Sequence, residues 1–338
     1  MENLKQKYSL LQEEAIGLVK TTFLNELRMQ LNLRKVSAPL VVLQGTGVND
    51  NLNGIERPVE FPIADMEEQK AEVVHSLAKW KRMRLKEYAI EEGKGIVTDM
   101  RALRPDEKMS KIHSIFVDQF DWEVHISKED RTLDKLKYVV KKIYSTLKHT
   151  EWIVAKSYTN FTPFLPESIT FIHSEDLLSK YPTLTPKERE NKITKEHGAV
   201  FIIGIGGVLA DGKKHDGRAP DYDDWSTPTK EGYKGLNGDI LVWNPVLNSS
   251  FELSSMGIRV NEESLINQLK LESCTQRKSL NFHSQLLQGK LPQSIGGGIG
   301  QSRLAMLLLR SRHIGEVQTS IWSKEIIEEA EKEGYQLL

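Results

Sequence analysis

The sequence predicts an α+β fold in which a central antiparallel sheet is flanked by helices. Three observations carry this expectation. Strand-like runs of mixed polarity are long, at 95–100, 112–124, 239–246 and 251–260. The last two are separated by Leu247-Asn-Ser-Ser, a turn-rich stretch that reads as a hairpin. A doubly wound parallel sheet would instead alternate helices regularly with near-continuous apolar strands, and the chain shows no such alternation.

The elements follow in order. Ile16, Val19, Phe23, Leu27 and Leu31 step by three or four residues and predict an N-terminal helix over about 2–32. Ser37-Ala-Pro-Leu-Val-Val then breaks the helix and turns extended. The stretch 73–88 reads as a helix, strongly basic on one side. Leu133, Leu136, Val140, Ile143 and Leu147 form a second stripe on a long helix. Shorter strands are expected at 170–173 and 200–204, and a dense apolar helix at 303–309 after a glycine run. No fixed-period repeat or low-complexity linker is evident, so residues 1–338 read as one catalytic domain.

Composition narrows the function. The 338 residues are 39% hydrophobic and 28% charged, ordinary for a soluble globular protein, and the net charge is -1. No basic surplus points to nucleic acid. The longest apolar stretch, 198–210, is too short for a membrane span and holds four glycines, so no membrane partner is expected. The charged N-terminus lacks a signal-like apolar core. The single cysteine, Cys274, permits no intrachain disulfide and suits a reducing cytoplasm.

Three segments carry chemistry. In Gly296-Gly-Gly-Ile-Gly-Gln-Ser-Arg303, missing side chains at Gly296, Gly298 and Gly300 let a planar ligand lie on the backbone. Arg303 follows, able to stack on a base or pair with phosphate. A glycine turn ahead of a core helix would look the same in isolation. The segment is neither a P-loop nor a dinucleotide fingerprint, because no Gly-Lys-Ser/Thr follows and the spacing is G-x-G-x-G. In the second segment, Arg104 precedes a loop and a strand whose alternation puts Gln119 and Asp121 on one face. Arg104 suits an α-phosphate and Asp121 a substrate ammonium, although a solvated hairpin is the alternative. In the third, Asp239 and Glu252 lie on neighbouring antiparallel strands, where they could share a Mg²⁺ between ATP phosphates. Arg259 could meet the outer phosphates. A wet cross-strand charge pair is the competing reading.

The order and type of these segments resemble motifs 2 and 3 of class II aminoacyl-tRNA synthetases. Gln119-Phe-Asp121-Trp-Glu123 is similar to the aspartyl and asparaginyl group in particular. The blocks His75-Ser-Leu-Ala-Lys79-Trp-Lys81-Arg, Ala102-Leu-Arg-Pro-Asp-Glu, Ala219-Pro-Asp-Tyr-Asp223-Asp-Trp-Ser-Thr-Pro and Gly235-Leu-Asn-Gly-Asp239-Ile-Leu-Val-Trp-Asn-Pro resemble the aspartate–ammonia ligase family, also called asparagine synthetase A. The likeness runs from about 36 to 322.

That resemblance implies the class II catalytic-core fold, a homodimer with the N-terminal helix at its interface, and Pro39 at the seam, although a simple strand-start proline would read the same way. It implies an AMP-forming ligase whose substrates are L-aspartate, ATP and ammonia, acting through β-aspartyl-AMP. By motif position, Arg104 and Gln119 attend the α-phosphate and acyl oxygen. Arg303, with Arg259, Gly298 and Gly300, belongs to the ATP site. Asp239 and Glu252 carry Mg²⁺. Ser76 and Lys81 match the helix that grips the aspartate α-carboxylate. Asp121 and Asp223 hold its ammonium, Ser255 belongs to the aspartate pocket, and Asp50 lies near the reacting amide. One position departs from the related synthetases: the adenine-stacking phenylalanine is replaced by Val117, with Phe116 on the opposite strand face.

Glutamine as nitrogen donor would require a nucleophilic cysteine, often at the mature N-terminus. Residue 2 is Glu2, and Cys274 sits in Leu271-Glu-Ser-Cys-Thr-Gln without an obvious base, so free ammonia is the simpler donor. A tRNA-charging enzyme would need a docking face for which the chain leaves little room. A non-catalytic regulator would tend to lose Arg104, Asp239, Glu252 or Arg303, and all four are present.

Overall fold

A computed structural model describes residues 2–49, 56–158, 161–229 and 232–338. The chain opens with helix α1 (Glu2–Gln30) and strand β1 (Leu33–Lys35). A small lobe follows, made of β2 (Val41–Leu43), β3 (Glu60–Ile63) and β4 (Gln69–Val73). Then come α2 (Ala78–Glu87), β5 (Gly95–Leu103), β6 (Phe116–His125) and α3 (Leu133–Ser157). Next are β7 (Thr170–His173), α4 (Ser174–Lys180), α5 (Pro186–His197) and β8 (Ala199–Ile203). The hairpin β9 (Asn237–Asn244) and β10 (Ser249–Ile258) leads to α6 (Glu262–Leu271) and α7 (Asn281–Leu287). The chain continues through β11 (Ser294–Gly300), α8 (Gln301–Leu308) and α9 (Lys324–Glu333).

Eight strands form one sheet in the order β1-β5-β6-β11-β10-β9-β8-β7. The expected antiparallel sheet is therefore mostly, but not wholly, antiparallel: β1 pairs parallel with β5, and β7 with β8. Both exceptions sit at the edges, where long crossovers allow parallel return; α4 and α5 lie in the second crossover.

One sheet face is covered by α1, α3 and α8. The buried stripe Ile16, Val19, Phe23 and Leu27 meets Leu136, Val140, Ile143 and Leu147 of α3 within a single core cluster. Phe23 stacks on Phe120 of β6 at 5.8 Å between ring centroids. Thr132 caps α3 by accepting a hydrogen bond from the Lys135 amide. Burying such stripes stabilises by about 25 cal/mol for each Å² of apolar surface removed from water.

The stretch 73–88 is not one helix. Its first part completes β4, where Val73 pairs with Val41, and the helix begins only at Ala78. Val73, Val74, Leu77 and Trp80 are spaced like a helical stripe, but cross-strand hydrogen bonding takes the first of them. The strand expected over 112–124 starts only at Phe116. Ser110 and His113 form an isolated antiparallel bridge instead.

Candidate active site

The opposite sheet face carries the site. Its register aligns four side-chain positions in one row across adjacent strands: Asp239 pairs with Ser255, Ser255 with Gly298, and Gly298 with Asp121. One step of the two-residue strand period away, Gln119 lies beside Gly300. Glu252 would point the other way from Ser255 in a regular strand. A register shift between Glu252 and Ser254 turns it back, and the Ser255 hydroxyl donates to Glu252 Oε1 at 3.1 Å.

The floor is backbone. A Cβ at Gly298 would stand 2.2 Å from Gln119 Oε1, and one at Gly296 would stand 2.0 Å from Glu123 Oε2. Glycine on β11 therefore leaves room for side chains from β6 to lie across it.

Two cavities open along this floor. The first, of about 430 Å³, is lined at one end by Ser76, Tyr222, Asp223 and Arg259, and elsewhere by Arg104, Gln119, Asp121, Arg218, Glu252, Ser255 and Gly298. The second, of about 220 Å³, holds Arg303, His113, Phe116, Val117 and Gly300. Arg104, Gln119, Glu252, Ser255 and Gly298 line both, so the cavities are two ends of one cleft. Arg104, Glu252 and Arg303 thus share a wall system.

At the first end lies a buried ionic network. Arg259 donates through Nε and Nη2 to Glu123, at 2.8–3.1 Å, and through Nη1 to Asp223. Lys81, wholly buried on α2, donates to Asp121, to the Trp122 carbonyl at 2.9 Å and to the Gly297 carbonyl at 3.2 Å. Burial lowers the Lys81 pKa and raises that of Asp121, each opposed by the other's charge. Burial also pushes Glu123 upward, but Arg259 and Lys81 outweigh it and hold the carboxyl below its ordinary range. Lys81 does not line either cavity; it sits beneath the floor and supports Asp121. Arg259 lines the first cavity and not the second, at the end remote from Arg303.

At the second end, Arg303 Nη1 donates to the Glu252 carbonyl at 3.0 Å, and its guanidinium lies 5.8 Å from the Phe251 ring centroid. Its Nη2 donates to His113 Nε2 at 2.8 Å. Burial, with the Arg303 charge, lowers the His113 pKa to about 4. The ring is therefore neutral, and its other nitrogen carries the hydrogen toward Ser110 Oγ at 3.0 Å. Asp118, facing away from Gln119, anchors the start of α8 by accepting from the Ser302 amide at 3.0 Å and the Ser302 hydroxyl at 2.8 Å. Arg104 reaches the His75 carbonyl with Nη2 at 3.4 Å, while its buried Nε has no hydrogen-bond partner.

Asp239 and Glu252 meet at a third cavity, of about 310 Å³, that opens beside the N-terminus of α5. Burial pushes Asp239 up to about 7, with the Glu252 charge adding to the rise and Arg218 opposing it. Burial pushes Glu252 the same way, but Arg303 and Arg218 outweigh it and the carboxyl lies below its ordinary value. Arg218 donates to Asp239 and lies 3.6 Å from Asp223. Among the described residues, no group of three or more His, Cys, Asp or Glu could hold a metal ion by itself. The donor set is two neighbouring carboxylates, which matches Mg²⁺ shared with phosphate and water.

Sequence reasoning did not single out Arg218, Glu123 or His113. Arg218 stands one residue before a quoted block, and Glu123 sits inside one without a role. The partners of Glu123 and His113, Arg259 and Arg303, lie more than a hundred residues away, so spacing alone gave no signal for them. Asp50 lies outside the described residues. Among the described residues, no helix is long and apolar enough to cross a membrane.

This architecture has close parallels among solved structures. Asparaginyl-tRNA synthetase of Pyrococcus horikoshii, complexed with asparaginyl-adenylate, superposes with a TM-score of 0.68 at 16% identity, over 91% of this chain and 68% of that one. The Entamoeba histolytica asparaginyl-tRNA synthetase, also in complex with asparaginyl-adenylate, gives 0.65 at 14% identity, over 92% and 66%. The fold is that of the class II aminoacyl-tRNA synthetase catalytic core.

Sequence comparison narrows this class. A family model described as aspartate-ammonia ligase matches residues 10–334. The aspartate–ammonia ligase of Parabacteroides distasonis is 58% identical over 96% of this chain and 94% of its own length. That of Clostridium perfringens strain 13 is 55% identical over the same shares. The chain belongs to the aspartate–ammonia ligase family.

Proposed function

We propose that the cleft joins the two halves of the family reaction on one sheet face, with aspartate over the first cavity and ATP over the second. The chain is an aspartate–ammonia ligase that makes asparagine. One observation carries the assignment of ends: Arg104, Gln119, Glu252 and Ser255 line both cavities, while Arg259 lines only the first and Arg303 only the second. The shared residues stand where the two substrates must meet.

A carboxylate is a poor acyl donor, so its β-oxygen first attacks the α-phosphorus of ATP. The P–O bond to pyrophosphate breaks, and β-aspartyl-AMP forms. Arg104 neutralises charge growing on the α-phosphate, and its unpartnered Nε is the donor held ready for it. Gln119, pinned over Gly298, orients the acyl oxygen. Asp121 and Asp223 receive the α-ammonium of aspartate. Ser76 and Arg259 face its α-carboxylate; Arg259 lines the first cavity and not the second, so its role lies at the aspartate end rather than at the outer phosphates. Lys81 acts from below by fixing Asp121.

Arg303 covers the nucleotide, with neutral His113 as its acceptor. Val117 and Phe116 both line the nucleotide cavity. Asp239 and Glu252 are the residues that would hold Mg²⁺, whose charge would draw electron density from the ATP phosphates. Ammonia then attacks the activated carbonyl, AMP leaves, and Asp50 takes the proton that the new amide nitrogen sheds. The exposed apolar side chains Met29, Leu40 and Val41 near the end of α1 and the start of the small lobe support a homodimer seam there. The buried, unpaired Cys274 accords with a cytoplasmic setting.

The test is product identity and partial exchange. Purified protein with aspartate, Mg-ATP and ammonium should release AMP and pyrophosphate. Without ammonium it should catalyse aspartate-dependent ATP–pyrophosphate exchange. Release of ADP and phosphate would overturn the adenylate reading. Arg104→Ala should lower kcat far more than it raises the KM for ATP; unchanged turnover would remove Arg104 from the reaction.

A further inference from the structure

A separate cavity of about 190 Å³ lies behind the aspartate end and takes no part in the chemistry above. Its rim is the half-exposed loop Leu43–Gly47 with Glu72 and Arg277, and its depth is formed by Asn49, Lys79, Asp221 and His283. Asp221 and His283 are both 0% exposed. Asp221 Oδ2 lies 3.0 Å from His283 Nε2, 3.2 Å from Arg277 Nη1 and 3.5 Å from Lys79 Nζ. Burial alone would raise the Asp221 pKa, but the Lys79 charge, the His283 hydrogen bond and the Arg277 charge outweigh it and hold the carboxyl below the ordinary carboxylate range. An ionised carboxylate only accepts, so His283 Nε2 carries the hydrogen, and in the neutral imidazole Nδ1 is then the acceptor. His283 Nδ1 and Asp221 Oδ1 are buried without hydrogen-bond partners. Two unmet acceptors at the bottom of a polar cavity call for a small donor.

The cavity is one wall from the reacting centre. Ala78 and Tyr222 line the aspartate cavity, while their chain neighbours Lys79 and Asp221 line this one. Asn49 ties the wall together: its amide donates to Glu72 at 2.9 Å, and its oxygen accepts from the His75 amide at 2.9 Å. The His75 carbonyl in turn receives Arg104.

We propose that this cavity is the nitrogen-donor inlet, in which the His283–Asp221 pair takes a proton from ammonium. The inference rests on the ligase reading above. Ammonium has no lone pair with which to attack. At the pair, one N–H bond of NH₄⁺ breaks and its proton goes to His283 Nδ1, leaving NH₃ and an imidazolium stabilised by Asp221. The Asp221 carboxylate, 3.0 Å from His283 Nε2, favours this direction, because an adjacent negative charge stabilises the imidazolium that forms. Glu72 at the rim attracts the incoming cation. Neutral NH₃ then passes the Lys79–Asn49 wall to the adenylate, and His283 returns its proton to water at the rim. This proton is distinct from the one Asp50 removes after attack.

The experiment compares two nucleophiles. Hydroxylamine is already uncharged in neutral buffer and needs no deprotonation, and its product, β-aspartyl hydroxamate, is read colorimetrically. His283→Gln should lower kcat/KM for ammonium about a hundredfold, while kcat/KM with hydroxylamine and aspartate-dependent ATP–pyrophosphate exchange stay within about twofold. Glu72→Gln keeps an acceptor for Asn49 and should raise the ammonium KM selectively, which guards against a misfolded His283 variant. Equal losses with both nucleophiles, or no loss with ammonium, would overturn the proposal. Absence of exchange in the unmodified enzyme would instead refute the ligase mechanism on which it rests.

Discussion

Two glycines on β11 face the same way, two residues apart, and alanine at each should fail differently. At Gly296 the new Cβ would lie 2.0 Å from Glu123 Oε2, 2.6 Å from Glu123 Cδ and 2.6 Å from Arg259 Nη2. These atoms belong to a buried ion pair fixed at 2.8–3.1 Å, so neither partner has room to swing aside. Glu123 must leave Arg259, and breaking a buried pair costs about 3–5 kcal/mol. Against a total of about 5–15 kcal/mol, that is a large fraction of the stability. At Gly298 the Cβ would meet Gln119 Oε1 at 2.2 Å, the far end of a flexible side chain. Gln119 can turn away at little cost, but it then loses its place over the reacting acyl oxygen. Losing one such donor lowers kcat about 10²–10³-fold. Denaturant unfolding and steady-state kinetics on both variants separate the cases. Gly296→Ala should lose at least about 3 kcal/mol, while Gly298→Ala should lose under about 1 kcal/mol and still be nearly inactive. A stable, active Gly298→Ala protein would refute the assignment of Gln119, and a Gly296→Ala protein as stable as the parent would refute the account of the ion pair.

Other consequences can be checked directly. Arg303→Ala should raise the KM for ATP with little change in the KM for aspartate, because Arg303 lines only the nucleotide end; equal rises in both would contradict the division of the cleft. Asp239 has a raised folded-state pKa of about 7, so its ionisation opposes folding. The cost is absent below the unfolded value near 4, grows as pH rises, and is complete above about 7. In chelator-treated protein, Asp239→Asn should therefore gain stability relative to the parent as pH rises from about 4 to about 8. A pH-independent difference in unfolding midpoint would speak against this. Cys274 packs with Val260, Leu265 and Leu269 away from the cleft, and Cys274→Ser should leave ammonia-dependent synthesis intact apart from a modest loss of stability. A large loss of turnover in a folded variant would reopen a role for the thiol.

Much of this was legible because strand alternation and helical stripes are local signals. The α3 stripe, the β9–β10 hairpin and the Gln119/Asp121 face could all be read from spacing. The small lobe could not: Pro62 and the mixed polarity of Glu60–Ile63 obscure β3, and β4 borrows a helix-like pattern from residues that continue into α2. The shared orientation of Glu252 and Ser255 depends on a bulge, which period-two reasoning cannot supply. Arg218, Glu123 and His283 were missed for a common reason: each takes its meaning from a partner tens or hundreds of residues away. Lys81 was expected at the aspartate α-carboxylate from its match to the family's helix, and its depth beneath the floor is a property of packing that no motif carries.

The strand that forms the cleft floor carries no side chain at four of its seven positions, Gly296, Gly297, Gly298 and Gly300. Such a segment at the margin of a sheet would be free to slide by a residue or to pair with another molecule. Here it lies between β6 and β10, hydrogen-bonded along both sides. The anchoring comes from these neighbours and from Ile295 and Ile299, which are buried in the main core. The catalytic surface thus inherits its rigidity from the middle of the sheet, and sequence drift on the flanking strands can retune the pocket only while it preserves that clasp.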